Sequence, residues 1–221
     1  MIDAQPGVIT GCASNFYYTT ARSNLSTEIL HKFLAVMILK FVQNFSKKCL
    51  CFRLGCGIII TEREVMNMKI LVFDMDGTIA NLYGVNGWLD DLINKDTRPY
   101  EVAEPMYDMD ILVTVLEMLK GLGWTIAVTS WLAKNSTDEY DARVKAVKKA
   151  WLEKFGFPYD ILNIVPYGVD KSSVTADLGG FQVLIDDEEK NLKDWKNGLT
   201  IDAKNDIMAM LLKILDNLGE F

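Results

Sequence analysis

From Lys69 onward the chain alternates between short apolar runs of strand length and amphipathic stretches of helix length. KILVFD (69–74), WTIAVT (124–129), ILNIVP (161–166) and FQVLID (181–186) are continuous apolar runs, the pattern of strands covered on both faces. LTID (199–202) is the candidate fifth. Between them, 110–120 places Ile111, Val115, Met118 and Leu119 at helical spacing, with Asp110 as expected N-cap and Gly121 and Gly123 as stops. Residues 138–155 carry Val144, Val147, Trp151 and Phe155 on one face, while Lys145, Lys148 and Lys149 read as a solvated face. A last helix covers 206–219. Strands joined through helices must run parallel, because a parallel return needs a crossover. The pattern therefore predicts an α/β, doubly wound (Rossmann-like) parallel sheet of about five strands.

In such a sheet ligands bind beyond the carboxyl ends of the strands, so the residues standing there carry the function. FDMDGTIAN puts Asp74 and Asp76 after the first strand, and IAVTSW puts Thr129 and Ser130 after the second. GVDKSSV offers Lys171 after the third, with Lys134 in another loop as the competing lysine, and VLIDDEEKN offers Asp186 and Asp187 after the fourth. Carboxylates gathered at one point repel one another unless a cation sits among them. Oxygen donors without His or Cys select a hard ion, Mg²⁺ above all, which favours one or two carboxylates plus a phosphate oxygen. Hydroxyls and a lysine suit the remaining phosphate oxygens. Phosphoryl transfer needs mainly positioning and neutralised charge. One Asp can attack phosphorus, while the second, brought back over the site by a turn at Gly77, handles the proton of the leaving oxygen and of the hydrolytic water.

DMDGT after an apolar strand, followed in order by Thr129, Lys171 and Asp186-Asp187, resembles the haloacid dehalogenase (HAD) superfamily of phosphatases over about residues 69–218. The stretch 170–187 and the Thr129-Ser130 pair are further similar to the 5′(3′)-deoxyribonucleotidases. The resemblance implies Asp74 as nucleophile and Asp76 as general acid/base, with Thr129, Ser130 and Lys171 on the phosphate. It also implies Mg²⁺ held by Asp74, the backbone carbonyl of Asp76, and Asp186 or Asp187. It places a substrate-covering cap between the first two motifs, where only about residues 81–107 are available. There 87–95 reads as one short helix, and Tyr83, Trp88 and Tyr107 are the aromatic candidates for contact with a substrate ring, Trp88 reading first as a packing residue. Met106, Met109 and Met118 read as apolar filling.

Charge divides the chain. Residues 1–68 hold seven Lys/Arg against four Asp/Glu, a balance of +3, with all four cysteines and the single histidine. Residues 69–221 hold 16 against 26, a balance of −10. We expect 1–68 to be a poorly packed or misassigned extension, with translation starting at Met66 or Met68. Two competing readings are a metal site from Cys49, Cys51 and Cys56 with Cys12 or His31, and a peripheral membrane helix at 29–43. The longest apolar run, Phe33 to Leu39, is too short to span a bilayer, so the expectation is a cytoplasmic protein without stable membrane association. The acidic second part argues against nucleic acid as partner, since a polyanion needs a basic track.

The resulting expectation is a Mg²⁺-dependent phosphomonoesterase acting on a small soluble phosphate, with a (deoxy)nucleoside 5′-monophosphate as the favoured case. The alternatives are a 3′-phosphatase for nucleic-acid ends and a non-catalytic module retaining the fold. A receiver-type signalling domain would need its acids in the opposite order along the strands. The residues assign no oligomeric state.

Overall fold

A computed structural model describes residues 68–216. Residues 1–67, with the four cysteines and the stretch read as a candidate membrane helix, lie outside the described residues. The chain runs β1 (Lys69–Phe73), α1 (Trp88–Ile93), α2 (Arg98–Val102), α3 (Met109–Gly121), β2 (Trp124–Trp131), α4 (Asp138–Lys154) and β3 (Ile161–Val165). It continues through α5 (Lys171–Thr175), β4 (Phe181–Asp186), α6 (Glu189–Asp194), β5 (Gly198–Asp202) and α7 (Ile207–Asp216). The five strands form one sheet in the order β3-β2-β1-β4-β5, every pairing parallel. The expected α/β architecture is therefore present.

Strand alternation decides which face each residue serves. On one face Leu71, Phe73, Ile126, Val128, Val183 and Ile185 pack with α3, α7 and the end of α4. On the other, Ile70, Val72, Ala127 and Leu184 meet Trp195, with Leu178 and Leu192 against them. Ile70, Leu71, Val72 and Phe73 have no exposed surface, so β1 is the centre of the sheet, and each of these side chains contributes about 1.5–3 kcal/mol by burial.

The chain between β1 and α3, where the cap is expected, forms a small helical insert. Leu82 and Tyr100 pack with Tyr140 and Val144 of α4. The Tyr140 hydroxyl donates to the Asp96 carbonyl at 2.8 Å. Arg98 joins α2 to α1 by donating to Asp91 and to the Asn86 carbonyl. Two local expectations are corrected. The N-cap of α3 is Asp108, whose extended backbone lets its carboxylate accept from the Ile111 N–H, while Asp110 lies inside the first turn. Met106 is exposed, not core filling. Among the described residues no helix is long and apolar enough to cross a membrane.

Candidate active site

β1 and β4 are neighbours in register, with Phe73 opposite Ile185 and the Asp74 N–H donating to the Ile185 carbonyl at 2.9 Å. Asp74 and Asp186, one step further along each strand, therefore emerge side by side. Asp74 shares the face of Ile70 and Val72, and Asp186 that of Leu184. Lys171, the first residue of α5, enters from this same face. Its ammonium lies 2.7 Å from Asp74 Oδ1 and 2.7 Å from Asp186 Oδ2. Burial works against the charge on Lys171, but the two carboxylates outweigh it and hold its pKa above the usual lysine value. Asp186 is fully buried and held by three donor groups: Lys171, the Glu188 N–H at 2.9 Å and the Asn191 amide, which reaches both oxygens at 3.0 and 3.1 Å.

Asp187 completes an acidic triad. One carboxylate oxygen each from Asp74, Asp186 and Asp187 lie within 4.8 Å of one another. Burial, then the charges of Asp74 and Asp186, raise the Asp187 carboxyl from 3.8 to about 7, against hydrogen bonds that include one from the Thr78 hydroxyl at 3.3 Å. Lys171 thus bonds two of the three carboxyls. The donor set is all oxygen and short of positive charge, which fits a hard divalent cation.

The turn after β1 sets the position of Asp76. The N–H groups of Thr78, Ile79 and Ala80 converge on the Met75 carbonyl, and Gly77 takes φ +80°. A Cβ at Gly77 would stand 2.5 Å from an Asp187 oxygen and 2.6 Å from the Tyr83 ring, so both the turn and its neighbours require glycine.

Asp76 meets a residue that the sequence reading placed in solvent. Lys148 is completely buried, correcting the assignment of 145, 148 and 149 to one solvated face; Lys145 and Lys149 are exposed. The Lys148 ammonium donates to Asp76 Oδ2 at 2.5 Å, Ser130 Oγ at 2.9 Å and the Trp131 carbonyl at 2.7 Å, and lies 4.9 Å from the Tyr100 ring centroid. All three of its protons are used. The signal was in the spacing: Tyr140, Val144, Lys148, Trp151 and Leu152 are the buried positions of α4, one helical stripe. Asp76 Oδ1 is buried and has no hydrogen-bond partner. Burial raises the Asp76 carboxyl above its ordinary value despite Lys148, and Asp74 adds to the rise.

Thr129 and Ser130 point to opposite faces of β2. Thr129 is buried and accepts from the Asn163 amide at 3.4 Å, while Ser130 faces α4 and Lys148. The structure therefore joins Asp74, Lys171, Asp186 and Asp187 in one cluster, joins Asp76 to Ser130 through Lys148, and gives Thr129 a neighbouring strand as its partner. Beside Asp74 and Asp76 opens a cavity of about 400 Å³, walled by the cap and by the loops after β2 and β3. Tyr83 and Trp88 line it, their rings edge-to-face at 5.1 Å. Tyr107 does not line it, and its hydroxyl donates to the Ala203 carbonyl instead. Lys134 lines the rim and lies over Tyr167, so it is not the lysine of the carboxylate cluster.

The Asp187 shift has a measurable consequence. Between about 4 and about 7 the folded chain keeps a proton that an unfolded Asp187 has released, so this group favours folding below that window and loses its contribution as pH rises through it. In metal-free buffer, Asp187→Asn is expected to gain stability relative to wild type as pH rises through the window, and saturating Mg²⁺ is expected to shrink the gap. Urea midpoints at several pH values check this; a gap independent of pH contradicts it.

No protein-family model matches the sequence, and no curated protein matches it. Several solved structures show distant likeness, two of them as follows. One is a chain in a structure of the Pnkp1/Rnl/Hen1 RNA repair complex, at TM-score 0.41 and 19% identity, covering 62% of this chain and 42% of that one. The chain thus spans less than half the length of that repair protein. The other is D,D-heptose 1,7-bisphosphate phosphatase from Burkholderia thailandensis, at TM-score 0.38 and 13% identity, covering 67% of this chain and 99% of that one.

Proposed function

We propose that the domain is a metal-dependent phosphomonoesterase of HAD type, working through an aspartyl-phosphate on Asp74. The observation that carries this reading is the convergence of Asp74, Asp186 and Asp187 around a deficit of positive charge, with a separately held Asp76 beside the same cavity. Asp74, the Asp76 carbonyl and Asp186 or Asp187 would hold Mg²⁺, which would supply charge neutralisation for the phosphate. Lys171 keeps one Asp74 oxygen fixed and adds a positive charge beside the phosphate. Asp74 attacks phosphorus as the bond to the leaving oxygen breaks, and that oxygen takes the proton of Asp76. Water then attacks the aspartyl-phosphate, gives its proton to Asp76, and restores the Asp74 carboxylate as the P–O bond breaks.

Two features support the role of Asp76. Its raised carboxyl favours the protonated form that the first step uses, and Lys148 holds one oxygen while the other is unclaimed. Thr129, on the sheet face of Asp74 and Asp186, accepts from Asn163 and so keeps its own proton for a phosphate oxygen, whereas Ser130 faces α4 and serves Lys148. Within this reading the favoured substrate is a (deoxy)nucleoside 5′-monophosphate, and the protein is cytoplasmic, acting on a small soluble phosphate without nucleic acid or membrane. The full chain with Mg²⁺ is expected to hydrolyse phenyl phosphate, and EDTA to abolish this until Mg²⁺ is restored. Undiminished turnover in excess EDTA would refute the metal role. No turnover with any divalent ion would favour a non-catalytic module.

A further inference from the structure

The cavity's walls offer few charged or amide groups, and their other side-chain polar atoms are tyrosine hydroxyls and indole nitrogens. Apart from Asp74 and Asp76, the charged or amide side chains lining it are Lys134 and Asn135, both exposed. The rest is aromatic or aliphatic. From the cap come Tyr83 and Trp88, in ring contact at 5.1 Å. From the core come Trp131 and Tyr167, also at 5.1 Å. Trp131 is held in place by donating from Nε1 to the Val169 carbonyl at 2.8 Å, and its ring lies 5.3 Å from the Lys171 ammonium. The aromatic surface therefore begins beside the carboxylate cluster. α1 adds Leu89 and Ile93, which are 52% and 68% exposed and line the same space. An amphipathic helix ordinarily turns such residues toward a core, yet α1 has no buried residue and presents its apolar side to the cavity.

We propose that this cavity recognises the alcohol part of its substrate by stacking and apolar contact. It accepts phosphate monoesters that carry a flat, uncharged ring system, without reading the ring's hydrogen-bonding edge. The proposal rests on the phosphomonoesterase reading and narrows its substrate. Reading a base edge takes buried donors and acceptors in fixed positions, whereas aromatic faces accept any flat ring. Sugar and polyol phosphates would bring hydroxyls into walls with few partners for them, at the desolvation cost of each.

The test uses the full chain with Mg²⁺ and primary-alcohol esters, so that leaving-group reactivity is similar: naphthylethyl phosphate, hexyl phosphate, a hexose phosphate, glycerol phosphate and nucleoside 5′-monophosphates of four bases. The expected KM for naphthylethyl phosphate is about tenfold below those for hexyl and hexose phosphate, and the four nucleotides agree within about threefold. Trp88→Ala and Tyr167→Ala, both at solvent-accessible positions, are expected to narrow the gap between the naphthyl and hexose esters. A hexose or hexyl ester bound as tightly as the naphthyl one would overturn the proposal. So would one base preferred by more than about tenfold, or a gap that survives both substitutions. Each of these leaves the phosphatase reading standing, whereas failure to hydrolyse every ester, phenyl phosphate included, ends that reading itself.

Discussion

Asp74→Asn is expected to lower kcat on phenyl phosphate by about 10⁴-fold or more while leaving the fold intact. An amide oxygen is too poor a nucleophile to displace the leaving group, and nothing in the described cluster replaces it: Asp186 is occupied by three donor groups, and Asp187 is held by Thr78. The fold survives because asparagine has nearly the same shape, Lys171 keeps its bond to Asp186, and one of three crowded carboxylates loses its charge. The same thermal midpoint within a few degrees, alongside lost turnover, is the expected pair of results. Turnover within about tenfold of wild type would remove Asp74 from the chemistry.

Lys148→Met has the largest expected effect on stability. The side chain is fully buried, and its ammonium satisfies Asp76, Ser130 and the Trp131 carbonyl at once. Methionine keeps most of the aliphatic stem but strands the Asp76 carboxylate, whose other oxygen already has no partner. Asp76 must then stay charged without its partner or take up a proton, and Ser130 and the Trp131 carbonyl lose their donor, at about 3–5 kcal/mol, a large share of an ordinary domain's stability. Lys145→Met, at an exposed position of the same helix, is expected to change stability by less than about 0.5 kcal/mol. Adding Asp76→Asn to Lys148→Met is expected to recover part of the loss, because the stranded charge is gone. Urea unfolding of wild type, Lys148→Met, Asp76→Asn and the double variant forms the cycle, with Lys145→Met as the control. Equal effects at 145 and 148 would contradict the burial of Lys148.

The contrast between these two residues shows what the sequence makes legible. Asp74 and Asp186 were recognisable because a parallel strand covered on both faces reads as an unbroken apolar run, and a carboxylate ending that run has nowhere to be but the strand tip. β1 and β4 being adjacent, which the order of elements does not fix, then makes the two carboxylates neighbours. Lys148 was missed because it stands between Val147 and Lys149, and lysines spaced through an amphipathic helix ordinarily face water. Its place on the 140–144–148–151 stripe was readable, but the compensating groups came from β1 and β2, far away in the chain. Tyr107 was misread for a similar reason: its hydrogen-bond partner, Ala203, is 96 residues distant. The start of α3 failed on a finer point, since Asp108 and Asp110 are both good caps and only the backbone dihedrals choose between them. The aromatic wall was half legible. Tyr83 and Trp88 stand in the insert between β1 and α3, but Trp131 ends β2 and Tyr167 lies in the loop after β3, and only the folded sheet brings these two together.

Trapping the covalent intermediate tests the central claim most directly. The full chain, mixed with Mg²⁺ and excess phenyl phosphate, is quenched in acid during turnover, digested and mapped by mass spectrometry. One phosphoryl group on the peptide containing Asp74, absent from the Asp74→Asn protein, is the predicted result. Turnover with no phosphoryl group on that peptide, or with the group on another residue, would contradict it.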